Sequence, residues 1–182
     1  MKKRMHAYVL LLLAVLMAPA CLAAGAMTID VEYAGYGYYT AADTNGDGFP
    51  VSLSLASGKG TLGNSTVAIT VEFELPDGGV SPCDAAYIWL PVVSGGDHYW
   101  AAVLTAANQS QLFALFDQGY LCLRGGPPFD YYGMAAGFYA GGTGRFEGAV
   151  GEWTSHFEGV DLDPSVGFRS IAGTIEGEIT WP

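Results

Sequence analysis

The residues whose types and spacing point most directly at chemistry are Asp43-Thr44-Asn45-Gly46-Asp47-Gly48. D-x-N-x-D-G places oxygen ligands at alternate positions around a hard cation, and the glycine supplies the sharp turn. A complete EF-hand loop would add a bidentate Glu at its twelfth position, where this chain has Ser54. The spacing therefore predicts half a Ca2+ site, formed by Asp43, Asn45 and Asp47 and completed by a distant carboxylate or water. Asn-Gly and Asp-Gly are also favoured turn dipeptides between strands, so a plain turn is the alternative.

The second group is Cys83 and Cys122, the two cysteines downstream of residue 26. In an exported chain such a pair reads as a disulfide. A Cys/His metal site would need more ligands than these two and His98 offer.

Acid–base and nucleophilic groups are sparse. Asp97 and His98 are neighbours, and adjacent strand residues face opposite ways, so they do not form a base and its orienter. His156 stands apart. Asp161 and Asp163, two apart, would share a face on a strand, but Pro164 places them in a loop. No G-x-S-x-G elbow or H-E-x-x-H helix occurs. Asn64-Ser65-Thr66 fits a glycosylation acceptor.

The leader sets the compartment. Lys2, Lys3 and Arg4 precede an apolar run from Tyr8 to Met17, and Ala24-Gly25-Ala26 offers small residues for cleavage. Residues 1–26 read as a secretory signal peptide, and the protein is expected in the periplasm or outside the cell. The alternative is a lipoprotein anchored through Cys21. Pro19, and Ala18 where Leu or Val is usual, count against it. The apolar run is too short to span a bilayer, and no other stretch supplies a transmembrane segment.

Residues 27–182 remain as a single domain of about 156 residues, enough for a real core. Losing three of the seven basic residues takes the formal charge from −11 to −14. Such a surface repels phosphate backbones, which excludes nucleic acid as a partner. Acidity of this kind suits solubility outside the cell and attracts divalent cations.

The elements that must position these groups are strands. Ile29, Val31 and Tyr33 alternate with polar residues, and Tyr36 to Tyr39 then run toward a loop. Val51, Leu53 and Leu55 form a second strand and Val67 to Leu75 a third, joined by Gly58 to Gly63 as a hairpin. Tyr87 to Val93, Trp100 to Ala106, Gln111 to Phe116, Tyr120 to Leu123 and Tyr131 to Ala140 follow. Ala101 to Phe116 has helical composition, but Gly and Pro interrupt the neighbouring stretches and no capping box is present. At the C-terminal end Ile171, Gly173, Ile175, Gly177, Ile179 and Trp181 alternate with Ala172, Thr174, Glu176, Glu178 and Thr180. That is the period of a half-buried antiparallel strand. Val67, Ile69, Val71, Phe73, Ile175 and Ile179 are the expected shared core.

Between these strands lies Gly141-Gly142-Thr143-Gly144-Arg145-Phe146-Glu147-Gly148-Ala149-Val150-Gly151. Gly141, Gly142 and Gly144 suit a tight turn or bulge; Gly148 and Gly151 read as strand positions where a sheet bends. The fold class is all-β and antiparallel, a curved sheet closing into a barrel, with a β-sandwich as the alternative. The run GGTGRFEGAVG resembles the glycine-rich strand of the allene oxide cyclase and dirigent superfamily. That resemblance implies an eight-stranded, calycin-like antiparallel barrel. Its matched residues determine shape, and the plant enzymes' catalytic carboxylate has no counterpart within it.

Three functions fit. The first is a secreted, non-catalytic barrel binding an apolar small molecule or a partner, since eight strands enclose room for packed side chains or one small ligand. The second is a cyclase- or dirigent-like enzyme acting in the barrel cavity. The third is a calcium-stabilised extracellular structural domain.

Overall fold

The computed structural model describes residues 25–44, 46, 48–93 and 100–181. The signal peptide except for Gly25 and Ala26, Cys21, Asn45, Asp47, Asp97 and His98 lie outside the described residues.

Among the described residues nine strands follow one another: β1 (Ala26–Tyr39), β2 (Ser52–Gly60), β3 (Ser65–Val71), β4 (Tyr87–Pro91), β5 (Ala101–Thr105), β6 (Gln111–Arg124), β7 (Asp130–Gly142), β8 (Val150–Asp163) and β9 (Phe168–Thr180). A 3-10 turn, Gly144–Phe146, lies between β7 and β8. All pairings are antiparallel, in the order β6-β5-β3-β2-β1-β9-β8-β7, and β7 pairs back onto β6. The chain is thus a closed eight-stranded barrel. The ninth strand, β4, pairs with Leu121–Arg124 and neighbouring β6 residues on the edge that β5 uses further back. Closure removes the free edges that an open sheet would expose to other chains.

The alternation read from sequence becomes the inside and outside of this wall. Ile29, Val31 and Tyr33 of β1, Val67, Ile69 and Val71 of β3, and Ile171, Ile175 and Ile179 of β9 are buried in one core, which Phe73 joins. Glu176, Glu178 and Thr180 face out. A one-residue slip would invert every one of these positions, so the apolar face fixes the register.

Four local readings change. Tyr36 to Tyr39 remain in β1, because β2 supplies a partner as far as Tyr39↔Ser52. Gln111–Phe116 and Tyr120–Leu123 are one strand, carried past a register shift at Asp117. Asp161 and Asp163 end β8 rather than lying in a loop, with an irregularity between them. Gly148 lies in the turn before β8, at φ +74°, not within the strand.

The barrel has two unlike ends. At the β7–β8 connection, which we call the floor, β1, β5 and β9 contribute Ile29, Leu104 and Ile179, all fully buried. Phe146 of the 3-10 turn, also fully buried, plugs this end. The glycines of the motif allow it. Gly144 takes φ +59°, and a Cβ on Gly142 would fall against the Gln111 carbonyl and 2.9 Å from the Phe146 Cβ. Opposite lies the mouth, where β1, β3 and β8 end and β2, β7 and β9 begin.

Candidate functional site

Above the solid floor the lumen is not completely filled. A cavity of about 40 Å³ lies among Ile69, Val71, Phe116, Trp153 and Ile175. A water needs roughly 10–15 Å³ and an engineered site that takes benzene roughly 150 Å³. This space therefore suits a few waters or the end of a slender molecule, not a ring.

The walls are largely apolar; Ser52, Ser54, Tyr131 and Arg169 line the space toward the mouth, and Tyr33 and Ser155 line it lower down, Ser155 level with Ile175. The ladder explains the convergence. Arg169 pairs with Gly37 of β1 and Asp161 of β8. It lies two residues before Ile171 and six before Ile175, so the period of two turns it inward with them. Tyr33 and Ser155 share a hydrogen bond of 3.3 Å along the wall, over Gly173 of the intervening strand β9.

Arg169 is only 4 % exposed. Its Nη2 donates to the Ser52 hydroxyl. Its guanidinium carbon sits 4.4 Å from the Tyr39 ring centroid and 5.8 Å from that of Tyr131. The aromatic faces offset part of the desolvation of the cation. The ion pair among the described residues is Arg124–Asp130, on the outer wall, so Arg169 has no carboxylate at bonding distance. Burial raises the Tyr39 phenol above its ordinary range, with the Arg169 charge opposing it, and raises Tyr131 further. Both hydroxyls stay protonated and uncharged.

Asp161 faces the same end from β8. Its Oδ1 is buried without a hydrogen-bond partner. Burial pushes its carboxyl above the usual range, with Arg169 pulling the other way. Asp163, by contrast, turns outward and accepts from the Ser165 backbone N–H at 3.1 Å. The two aspartates, expected in a loop, thus end a strand and do different things.

The mouth is covered from two sides. Tyr39 packs on the backbone at Gly167, where φ is +65° and a side chain would strike the ring. The Asp43 loop follows immediately after Tyr39. Glu72, fully buried at the end of β3, accepts from the Thr44 backbone N–H at 2.7 Å and from the Thr44 hydroxyl. The Asp43 carboxylate accepts from the N–H groups of Gly46 and Gly48 at 2.6 and 2.9 Å. Asp43 thus organises the loop's own backbone, as Asx turns do. With Asn45 and Asp47 outside the described residues, no coordination geometry follows for the predicted Ca2+ site. Among the described residues no group of three or more His, Cys, Asp or Glu side chains is gathered for a metal.

Cys83 and Cys122 are disulfide-bonded, with Cα atoms 5.6 Å apart. The bond ties the segment before β4 to β6. Nearby, Tyr87 donates to Asp130 at 2.6 Å and Arg124 donates to Tyr87 at 2.8 Å. The Tyr87 hydrogen bond, then Arg124, holds the Asp130 carboxyl below its usual range. These contacts pin the ninth strand to the barrel and leave the lumen untouched. His156 is exposed on β8.

Arg169 was not singled out in the sequence, although a signal exists. It is a cation on the apolar side of the Arg169-Ile171-Gly173-Ile175 alternation. No family model, curated protein or solved structure matches the chain.

Proposed function

We propose that this protein is an exported, non-catalytic barrel that binds a small, largely apolar molecule in its lumen. The supporting observation is the cavity of about 40 Å³ in the lumen, walled mainly by apolar side chains and bordered by a few fixed polar groups. Binding sites combine apolar walls with a few convergent polar groups in this way. The small volume restricts the ligand to a slender one, such as a short alkyl chain, with side chains yielding as it enters.

A cyclase- or dirigent-like activity is the second reading, favoured by the glycine-rich resemblance and by Asp161, a carboxyl whose acidity burial weakens. It ranks second because Asp161 is not among the residues bordering the cavity. A calcium-bound Asp43 loop is compatible with either, as a clamp on the mouth.

The test is titration with n-butanol, followed by the NMR resonance of the indole N–H of Trp153, which borders the cavity. Saturable binding is expected, and it should weaken at least tenfold in Ala135→Leu, which fills the lumen from β7. An unchanged spectrum up to the solubility limit, or binding that survives Ala135→Leu, overturns the reading.

A further inference from the structure

The lumen contains one feature that an apolar ligand leaves unexplained. The arginine side chain is a permanent cation in proteins. A cation withdrawn from water is costly unless charge or hydrogen bonds replace its hydration. Ser52 supplies one acceptor and the Tyr39 hydroxyl a second hydrogen-bond partner, while the rings of Tyr39 and Tyr131 supply their faces, which leaves donors of the five still to be met. Asp161, across the β8–β9 ladder, is the nearest candidate counter-ion by register, yet it makes no ion pair with Arg169. Its Oδ1 hydrogen-bonds to nothing. The guanidinium has five N–H donors in a planar fork, a shape that suits a carboxylate held by two parallel bonds. Arg169 also borders the empty space, so its unused donors are within reach of whatever occupies it.

We propose that the lumen ligand is a short-chain carboxylate, with Arg169 holding the carboxylate near the mouth and the alkyl chain pointing down toward Trp153 and Ile175. This rests on the lumen-binding reading and adds the charge of the ligand to it. The remaining groups suit the task. The Ser52 hydroxyl lies beside the guanidinium, Ser54 lines the same space, and the Tyr33–Ser155 hydrogen bond leaves further donor capacity there. The chain's net charge after loss of the leader would repel anions at long range. Selection of a carboxylate must therefore come from contact with Arg169, and on-rates should rise with added salt as the repulsion is screened. A cationic surface site would show the opposite dependence.

The experiment compares butyrate, n-butanol and formate on the purified protein at neutral pH. It reads the NMR resonances of the Trp153 indole N–H and the Arg169 side-chain Nε–H. Butyrate is expected to bind at least tenfold more tightly than butanol and to shift the Nε–H signal, which butanol leaves in place. Formate, lacking the chain, should bind at least tenfold more weakly than butyrate. In Arg169→Met the preference for butyrate over butanol should disappear while butanol still binds. Equal binding of butyrate and butanol to the unaltered protein overturns this inference and leaves the lumen reading standing. Binding of neither removes both. Formate binding as tightly as butyrate refutes the short-chain ligand and marks a plain anion site. The Nε–H measurement needs no variant, so the inference stays testable if Arg169→Met does not fold.

Discussion

Phe146→Ala tests whether the glycine-rich segment builds the barrel floor or merely connects two strands. Phe146 is fully buried although it sits in a three-residue turn, and it packs among core residues from the surrounding strands. Truncating a buried Phe removes its transfer free energy and leaves a cavity, together about 3–5 kcal/mol. The Arg145 guanidinium carbon, 4.7 Å from the ring centroid, adds a cation–π contact worth about 0.5–1 kcal/mol at an exposed site. Relaxation is restricted, since Thr143 anchors the turn to Gln111 by a backbone N–H donated to its carbonyl at 2.8 Å and by its hydroxyl accepting from the Gln111 N–H at 3.0 Å. For a domain of this size each kcal/mol moves the melting temperature by about 2–4 °C, so a fall of roughly 6–20 °C is expected. Circular dichroism or calorimetry reads it directly. Glu147→Ala, at the exposed neighbouring position, is the control and should stay within about 0.5 kcal/mol. If Phe146→Ala behaves like Glu147→Ala, the floor is not a load-carrying part of the core and the role assigned to the glycines is wrong.

Asp161 should govern part of the acid response. Its folded carboxyl binds a proton more tightly than in the unfolded chain, so stability falls as pH rises from about 3.9, the unfolded value, through the raised folded value, and stays reduced above it. Asp161→Asn should therefore be the more stable protein at pH 7, with the difference vanishing below about pH 3; a less stable Asn variant at pH 7 would contradict this. For the disulfide, the separation of 39 residues gives a chain-entropy contribution of about 4 kcal/mol, so Cys83→Ala with Cys122→Ala should melt well below the parent. Two reactive thiols in unfolded, unreduced protein would show that the bond is absent. The Asp43 loop should raise the melting temperature in millimolar calcium, the range in which extracellular modules bind at about 10⁻⁴–10⁻³ M. Asp43→Asn with Asp47→Asn should abolish the shift, and a response equalled by magnesium would reduce the loop to a turn.

Local pattern determined most of the architecture. The alternation through Ile171, Ile175 and Ile179, and through Val67, Ile69 and Val71, assigned strands and their inner faces, because a strand's side chains alternate whatever the partner. The glycines at 141, 142 and 144 signalled a sharp change of direction, because positive φ and close backbone approach are properties of single residues. Cys83 and Cys122 found each other by elimination. What the pattern left open depended on neighbours distant in sequence. Tyr36 to Tyr39 stayed in a strand only because Leu53 and Ser52 pair beside them. Phe146 became a floor only because closure of the ring gave it a cavity to fill. Arg169 is the clearest case. Its inward direction was legible from Ile171 and Ile175, but an inward arginine can as easily emerge at a rim or meet a carboxylate. Only the closed barrel set Tyr39 over it, placed Asp161 across the ladder without an ion pair, and left empty space beneath. Direction is a property of the strand, whereas burial and charge compensation belong to the assembled ring.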